Sequence, residues 1–121
     1  MKESNPVLDK SKKFASKNIK LYIYLTKEKN EYVLSKQLLR SGTSIGANVK
    51  EAVRSMSRAE FKAKLNIALK EACETEYWLE LLVENEFLNQ EQFKSIYTDC
   101  QELIKLLTRI IKTLNEKQKK N

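Results

Sequence analysis

The chain has 121 residues, a formal net charge of +7 and no histidine, which removes the commonest general base, the commonest metal ligand and every Ser-His or Cys-His nucleophile pair. Glycine occurs twice and proline once, so nothing after Pro6 forbids a chain made almost entirely of helices, and the abundant Lys, Glu, Leu, Ile and Ala favour that state. No apolar run approaches the roughly 18 residues needed to cross a bilayer and no charged-then-apolar leader opens the chain, so a cytoplasmic protein away from any membrane is expected, with Cys73 and Cys100 as small buried hydrophobes.

One domain with a single modest core fits this length. Residues 1–8 read as a frayed leader. A first helix is expected over about 9–29, where Phe14, Leu21 and Leu25, joined by Tyr22, keep helical spacing. Asn30 and its charged neighbours mark a turn. A second helix, about 32–54, places Leu34, Leu38, Ser41, Ile45, Asn48 and Ala52 on one stripe. The third, about 57–85, opens with a Ser57/Glu60 capping box and a Met56–Phe61 staple. Its stripe is Phe61, Leu65, Ala68, Ala72, Thr75, Leu79 and Leu82. The fourth, about 89–116, opens with Asn89, Gln92 and a Leu88–Phe93 staple, and its apolar face is wide. Residues 117–121 are too polar to pack. Four helices with short loops predict an all-α, antiparallel up-down four-helix bundle with shallow crossings.

The second helix holds both glycines, four residues apart in QLLRSGTSIGANVKEA. Each costs a helix roughly 1 kcal/mol relative to alanine. Spaced so, Gly42 and Gly46 leave two bare patches on one face, where another backbone can come close. Ser41, Ile45 and Asn48 border that face. It packs inside one bundle, or part of it packs between subunits or holds a ligand. Trp78 is either an interface anchor or a half-covered surface residue.

Charge is uneven. Residues 1–31, 32–56 and 87–121 carry +4, +3 and +3, and residues 57–86 carry −3. Antiparallel packing would bring the lysines that open the first helix to the same end as those that close the fourth. Such a patch suits phosphate backbones through counterion release. Lys12, Lys13, Lys17, Lys20, Lys36, Arg40, Lys50 and Arg54 are the candidate nucleic-acid contacts. The paired carboxylates Glu71/Glu74 and Glu76/Glu80 lack the histidines of a di-metal bundle site, so no metal or cofactor is expected. The R-x-x-x-x-H motif of helical HEPN ribonucleases cannot exist here.

The runs LSKQLLRSGTSIGANVKEA and SRAEFKAKLNIALKEACETEYWLELL resemble the bacterial four-helix-bundle family named for intervening sequences in 23S ribosomal RNA genes, also called the S23 ribosomal protein family. The resemblance covers about residues 10 to 115. Its most specific parts are Q-L-x-R-S-x-x-S-I-x-A-N at Gln37–Asn48, and Glu74, Thr75, Tyr77, Trp78 and Leu79 further on. The resemblance implies a ring-like homopentamer without established enzymatic activity. One related branch is the accessory variability determinant of diversity-generating retroelements, a basic barrel that engages a reverse transcriptase and nucleic acid.

Two functions follow as expectations. The first is a non-enzymatic, homo-oligomeric accessory protein that binds RNA or DNA through a basic surface. The second is a protein-interaction scaffold, for example for a reverse transcriptase, in which the positive charge is incidental.

Overall fold

The computed structural model describes residues 5–120, with side chains for residues 5–118. Four helices follow one another, α1 (Pro6–Lys27), α2 (Leu34–Val53), α3 (Arg58–Glu84) and α4 (Gln90–Lys120). Each packs on its neighbour in sequence, and α1 with α4 closes the square; among the described residues the backbones of neither diagonal pair come within 8 Å. The architecture is the expected all-α up-down four-helix bundle.

The helix ends are fixed by local hydrogen bonds, not by the apolar stripes alone. Helix α1 starts at Pro6, earlier than Asp9, because the Asn5 side chain accepts from the Leu8 N–H at 3.2 Å and proline fits the first helical position. Only residues 1–4 of the expected leader lie outside the described residues. At α2 the cap comes from upstream. The buried Glu31 carboxylate accepts from the N–H groups of Val33, Leu34 and Ser35 at 3.1, 2.9 and 2.7 Å, satisfying donors a helix leaves orphaned. Asn89 and Gln92 form a reciprocal capping box, with bonds of 2.9 and 2.7 Å. Helix α4 then continues to Lys120, so the polar tail expected from residue 117 is helical up to that point.

The α3 cap departs from expectation. Ser57 Oγ accepts from the Glu60 N–H at 3.0 Å, but the Glu60 carboxylate takes the N–H of Met56 at 2.9 Å. That is one residue earlier than a capping box uses. Met56 points away, 94% exposed, and the staple to Phe61 does not form.

The core follows the stripes with three changes. Val49 takes the place assigned to Asn48, which is half-buried and donates to the Ser44 carbonyl at 2.9 Å. Ser11 and Asn18 are fully buried on α1, while Leu21 is only half-buried. Cys73 is exposed, and Cys100 alone behaves as the small buried hydrophobe; both are free thiols. Each helix thus gives a polar or small group near one level of the bundle. Asn18 lies against Gly42, Ser41 and Thr75 share a hydroxyl hydrogen bond of 2.8 Å, and the Cys100 thiol donates to the Ala72 carbonyl at 3.4 Å.

Candidate nucleic-acid interface

Up-down order gathers the start of α1, the end of α2, the start of α3 and the end of α4 at one pole of the bundle. Residues 5–17, 44–70 and 104–118 form that half and carry 14 basic and 4 acidic side chains, a net +10. The opposite half, residues 18–43 and 71–103, carries 6 basic and 11 acidic, a net −5, and two of those acids, Asp99 and Glu102, lie at the boundary, where they pair with Lys17 and Lys10. The molecule is therefore strongly bipolar along its length, with field lines concentrated at one end. The side chains of Lys119 and Lys120 lie outside the described residues, while Lys112 and Lys117 are exposed at the basic pole.

The eight candidate cations divide into three groups. Lys12, Lys13, Lys50 and Arg54 are exposed at the basic pole. Lys20 and Lys36 are exposed in the acidic half. The other two are engaged within the chain. Lys17 pairs with Asp99 and reaches Ser95 Oγ at 3.3 Å, which ties α1 to α4. Arg40 bridges two carboxylates of α3, Glu74 and, at 3.1 Å, Glu71. Glu74 also accepts from the Trp78 indole N–H at 3.0 Å. A guanidinium shared between two carboxylates has little charge left for phosphate. The same pairing explains where the α3 carboxylates go, since they lock α3 to α2.

Among the cations of the pole outside the eight candidates are Arg58 and Lys62. Together with Asn66, Leu114 and Gln118 they line an open cleft of about 550 Å³ between the first turns of α3 and the last turns of α4. The net −3 of residues 57–86 concealed them. All four basic residues of that segment precede Glu71, and six of its seven acids follow Lys70. A running charge along the helix, instead of one sum, would have found the split.

The small-residue face lies within the chain. A Cβ built on Gly42 would sit 2.5 Å from Asn18 Cγ, and one on Gly46 would sit 3.4 Å from the Ser11 backbone. Both glycines therefore let α2 approach α1. Ser41, Gly42 and Ile45 are buried, Gly46 and Asn48 half-buried. Trp78 is half-covered beside the exposed Tyr77, their ring centroids 5.1 Å apart. Other exposed apolar side chains are Ile19 and Ile23 on α1, Tyr32 and Val33 ahead of α2, Val53 and Met56 at the α2–α3 corner, and Ile67 on α3.

Burial, reinforced by Glu76, pushes the Cys100 thiol well above its ordinary range. The hydrogen bond from the Tyr97 hydroxyl to Glu80, 2.6 Å long, raises the phenol likewise. Among the described residues no cluster of three His, Cys, Asp or Glu is placed to hold a metal ion, and no helix is long and apolar enough to cross a membrane.

Comparison with known proteins agrees with the fold. No curated protein matches the chain. A solved structure of a protein of unknown function from the S23 ribosomal protein family of Bacteroides thetaiotaomicron VPI-5482 is 58% identical, with a TM-score of 0.86, over 88% of this chain and 98% of that one. The family model for the 23S rRNA-intervening sequence protein matches residues 3–109. With nearly the whole bundle matched in sequence and shape, the chain belongs to the 23S rRNA-intervening sequence protein family.

Proposed function

We propose that this protein is a non-enzymatic, homo-oligomeric accessory protein that binds RNA or DNA through its basic pole. One observation carries the reading, the segregation of charge into a +10 half and a −5 half. Four of the eight candidates, Lys12, Lys13, Lys50 and Arg54, lie at that pole with Arg58 and Lys62 beside them. A fold gains nothing from crowding like charges at one end. Phosphates that displace condensed counterions would gain from it. The engaged pairs of Lys17 and Arg40 move those two residues from binding to scaffold duty.

Assembly into a ring, with a pentamer as the family resemblance implies, has separate support. Exposed Ile19 and Ile23 on α1 lie one helical turn apart, and exposed Ile67 and Tyr77 stand singly on α3, the helix diagonally opposite. Different apolar side chains on two non-adjacent helices suit a head-to-tail contact, which closes into a ring where its rotation allows. Repetition of the basic pole around a ring would raise its avidity. The exposed side chains also favour the second reading, a scaffold that displays them to a protein partner such as a reverse transcriptase.

Binding to a structured RNA and to a DNA duplex across about 50–300 mM salt tests the first reading. Its expected signature is an affinity whose logarithm falls linearly with the logarithm of salt. Absence of binding at the low-salt end, with partner capture intact, would leave the scaffold. Light scattering on the same sample reads the oligomer mass.

A further inference from the structure

Met56 is the most exposed large apolar side chain among the described residues, yet its loop is not loose. Arg54 donates its N–H to the Lys50 and Glu51 carbonyls, both at 3.2 Å. Ser55 donates its N–H and its hydroxyl to the Ala52 carbonyl at 3.0 and 2.6 Å. The Met56 N–H is held by Glu60 at 2.9 Å. The backbone is thus pinned on both sides, and the side chain projects from a fixed point. A single exposed methionine is ordinary on a surface. In sequence this one stands midway between two arginines at the basic pole, Arg54 and Arg58.

Arg54 and Arg58 are exposed, and neither is in an ion pair among the described residues, although Lys10, Lys17, Arg40 and Lys64 all have acidic partners. Arg58 opens α3 and borders its cleft with Lys62. The first turn of a helix is its positive end, where a cation is disfavoured. Neither the arginine nor the methionine is placed there to stabilise the fold.

Two unpaired guanidiniums flanking a projecting thioether complement a phosphate backbone with an accessible base between its phosphates. Sulfur packs favourably on aromatic rings, and the unstacked bases of a single strand offer their faces to side chains. A duplex hides its base faces; a single strand does not. We propose that the α2–α3 corner takes single-stranded nucleic acid, with Arg54 and Arg58 on its phosphates and Met56 packed on a base. This rests on the nucleic-acid reading above and narrows it to unpaired strands.

The test is fluorescence anisotropy of the full chain with a labelled 12-nucleotide RNA single strand and the matching duplex. The variants are Met56→Ser, the double variant Arg54→Glu/Arg58→Glu, and Lys20→Glu/Lys36→Glu at the other pole. Circular dichroism melts check that each is folded. Met56→Ser is expected to weaken the single strand about two- to tenfold, the worth of a sulfur–aromatic contact, and to leave the duplex unchanged. The arginine reversal should weaken both strands about tenfold or more, and the control pair far less. Unchanged single-strand affinity in Met56→Ser, or equal loss on both strands, would overturn the proposal while the nucleic-acid reading stands. Loss confined to the control pair would also overturn it, by placing the site at the other pole. If the wild-type chain binds neither strand at low salt, both readings fall together.

Discussion

At the residue scale the two glycines look alike in sequence and differ in the fold. The Asn18 amide donates to the Phe14 carbonyl at 2.7 Å and is fully buried, so its side chain cannot swing away from a methyl at position 42. A new rotamer would break that hydrogen bond, and its Oδ1 already lacks a partner among the described residues. Gly42→Ala should therefore destabilise by about 1–3 kcal/mol, an overpacking cost. At Gly46 the methyl would meet Ser11 at 3.4 Å, an ordinary contact distance. There the helix preference for alanine should prevail, so Gly46→Ala should be neutral or stabilising by up to about 1 kcal/mol. Urea denaturation of both variants decides the point. Equal costs would mean that helix geometry, not the Asn18 contact, keeps these glycines. Shortening the neighbour should uncouple the first cost, so Asn18→Ala and Gly42→Ala should combine less than additively.

At the scale of the element, the end of α3 shows a rule met with the wrong residue. The N–H groups of Glu86 and Phe87 bond back to the Val83 and Leu82 carbonyls at 3.2 and 2.9 Å, the paired closure of a Schellman motif. That closure needs a left-handed residue, and Glu86 supplies it at φ 66°. Glycine adopts this conformation without strain. Glu86→Gly should raise stability by roughly 0.5–1 kcal/mol, the relieved left-handed penalty less the extra freedom of the unfolded chain. A lower unfolding midpoint would mean that the glutamate side chain contributes more than its backbone costs. Helix existence was legible because apolar stripes repeat every three to four residues, and α4 announced its own start through Asn89 and Gln92. Start sites were less legible where the cap is remote or unusual. The Glu31 cap of α2 sits outside the periodic run, and the Asn5–Pro6 signal lies within a polar stretch that reads as a tail. Ser11 and Asn18 keep core spacing on α1, but a polar side chain hides a core position from any reading by hydrophobicity.

At the scale of the whole molecule, topology turns a scattered set of lysines into a pole. That gathering was legible, because antiparallel order alone joins the ends of α1 and α4. The subtraction of Lys17 and Arg40 was not. Their partners Asp99 and Glu74 are 82 and 34 residues away in sequence, and only packed helices bring them together. A pole of net +10 repels itself, and Arg58 adds a cation at the positive end of α3. Arg58→Glu removes both penalties. It should stabilise the fold by roughly 0.5–1 kcal/mol in low salt while weakening nucleic-acid binding. The gain should shrink in 0.5 M salt, because counterions screen exposed charges within a few ångströms. Urea unfolding in 10 and 500 mM salt, beside the binding titration, measures both effects on one variant. A gain in stability together with a loss of binding would mean that the fold carries this arginine for its ligand. Lower stability at both salt levels would mean instead that the guanidinium supports the α3–α4 cleft, with its charge incidental.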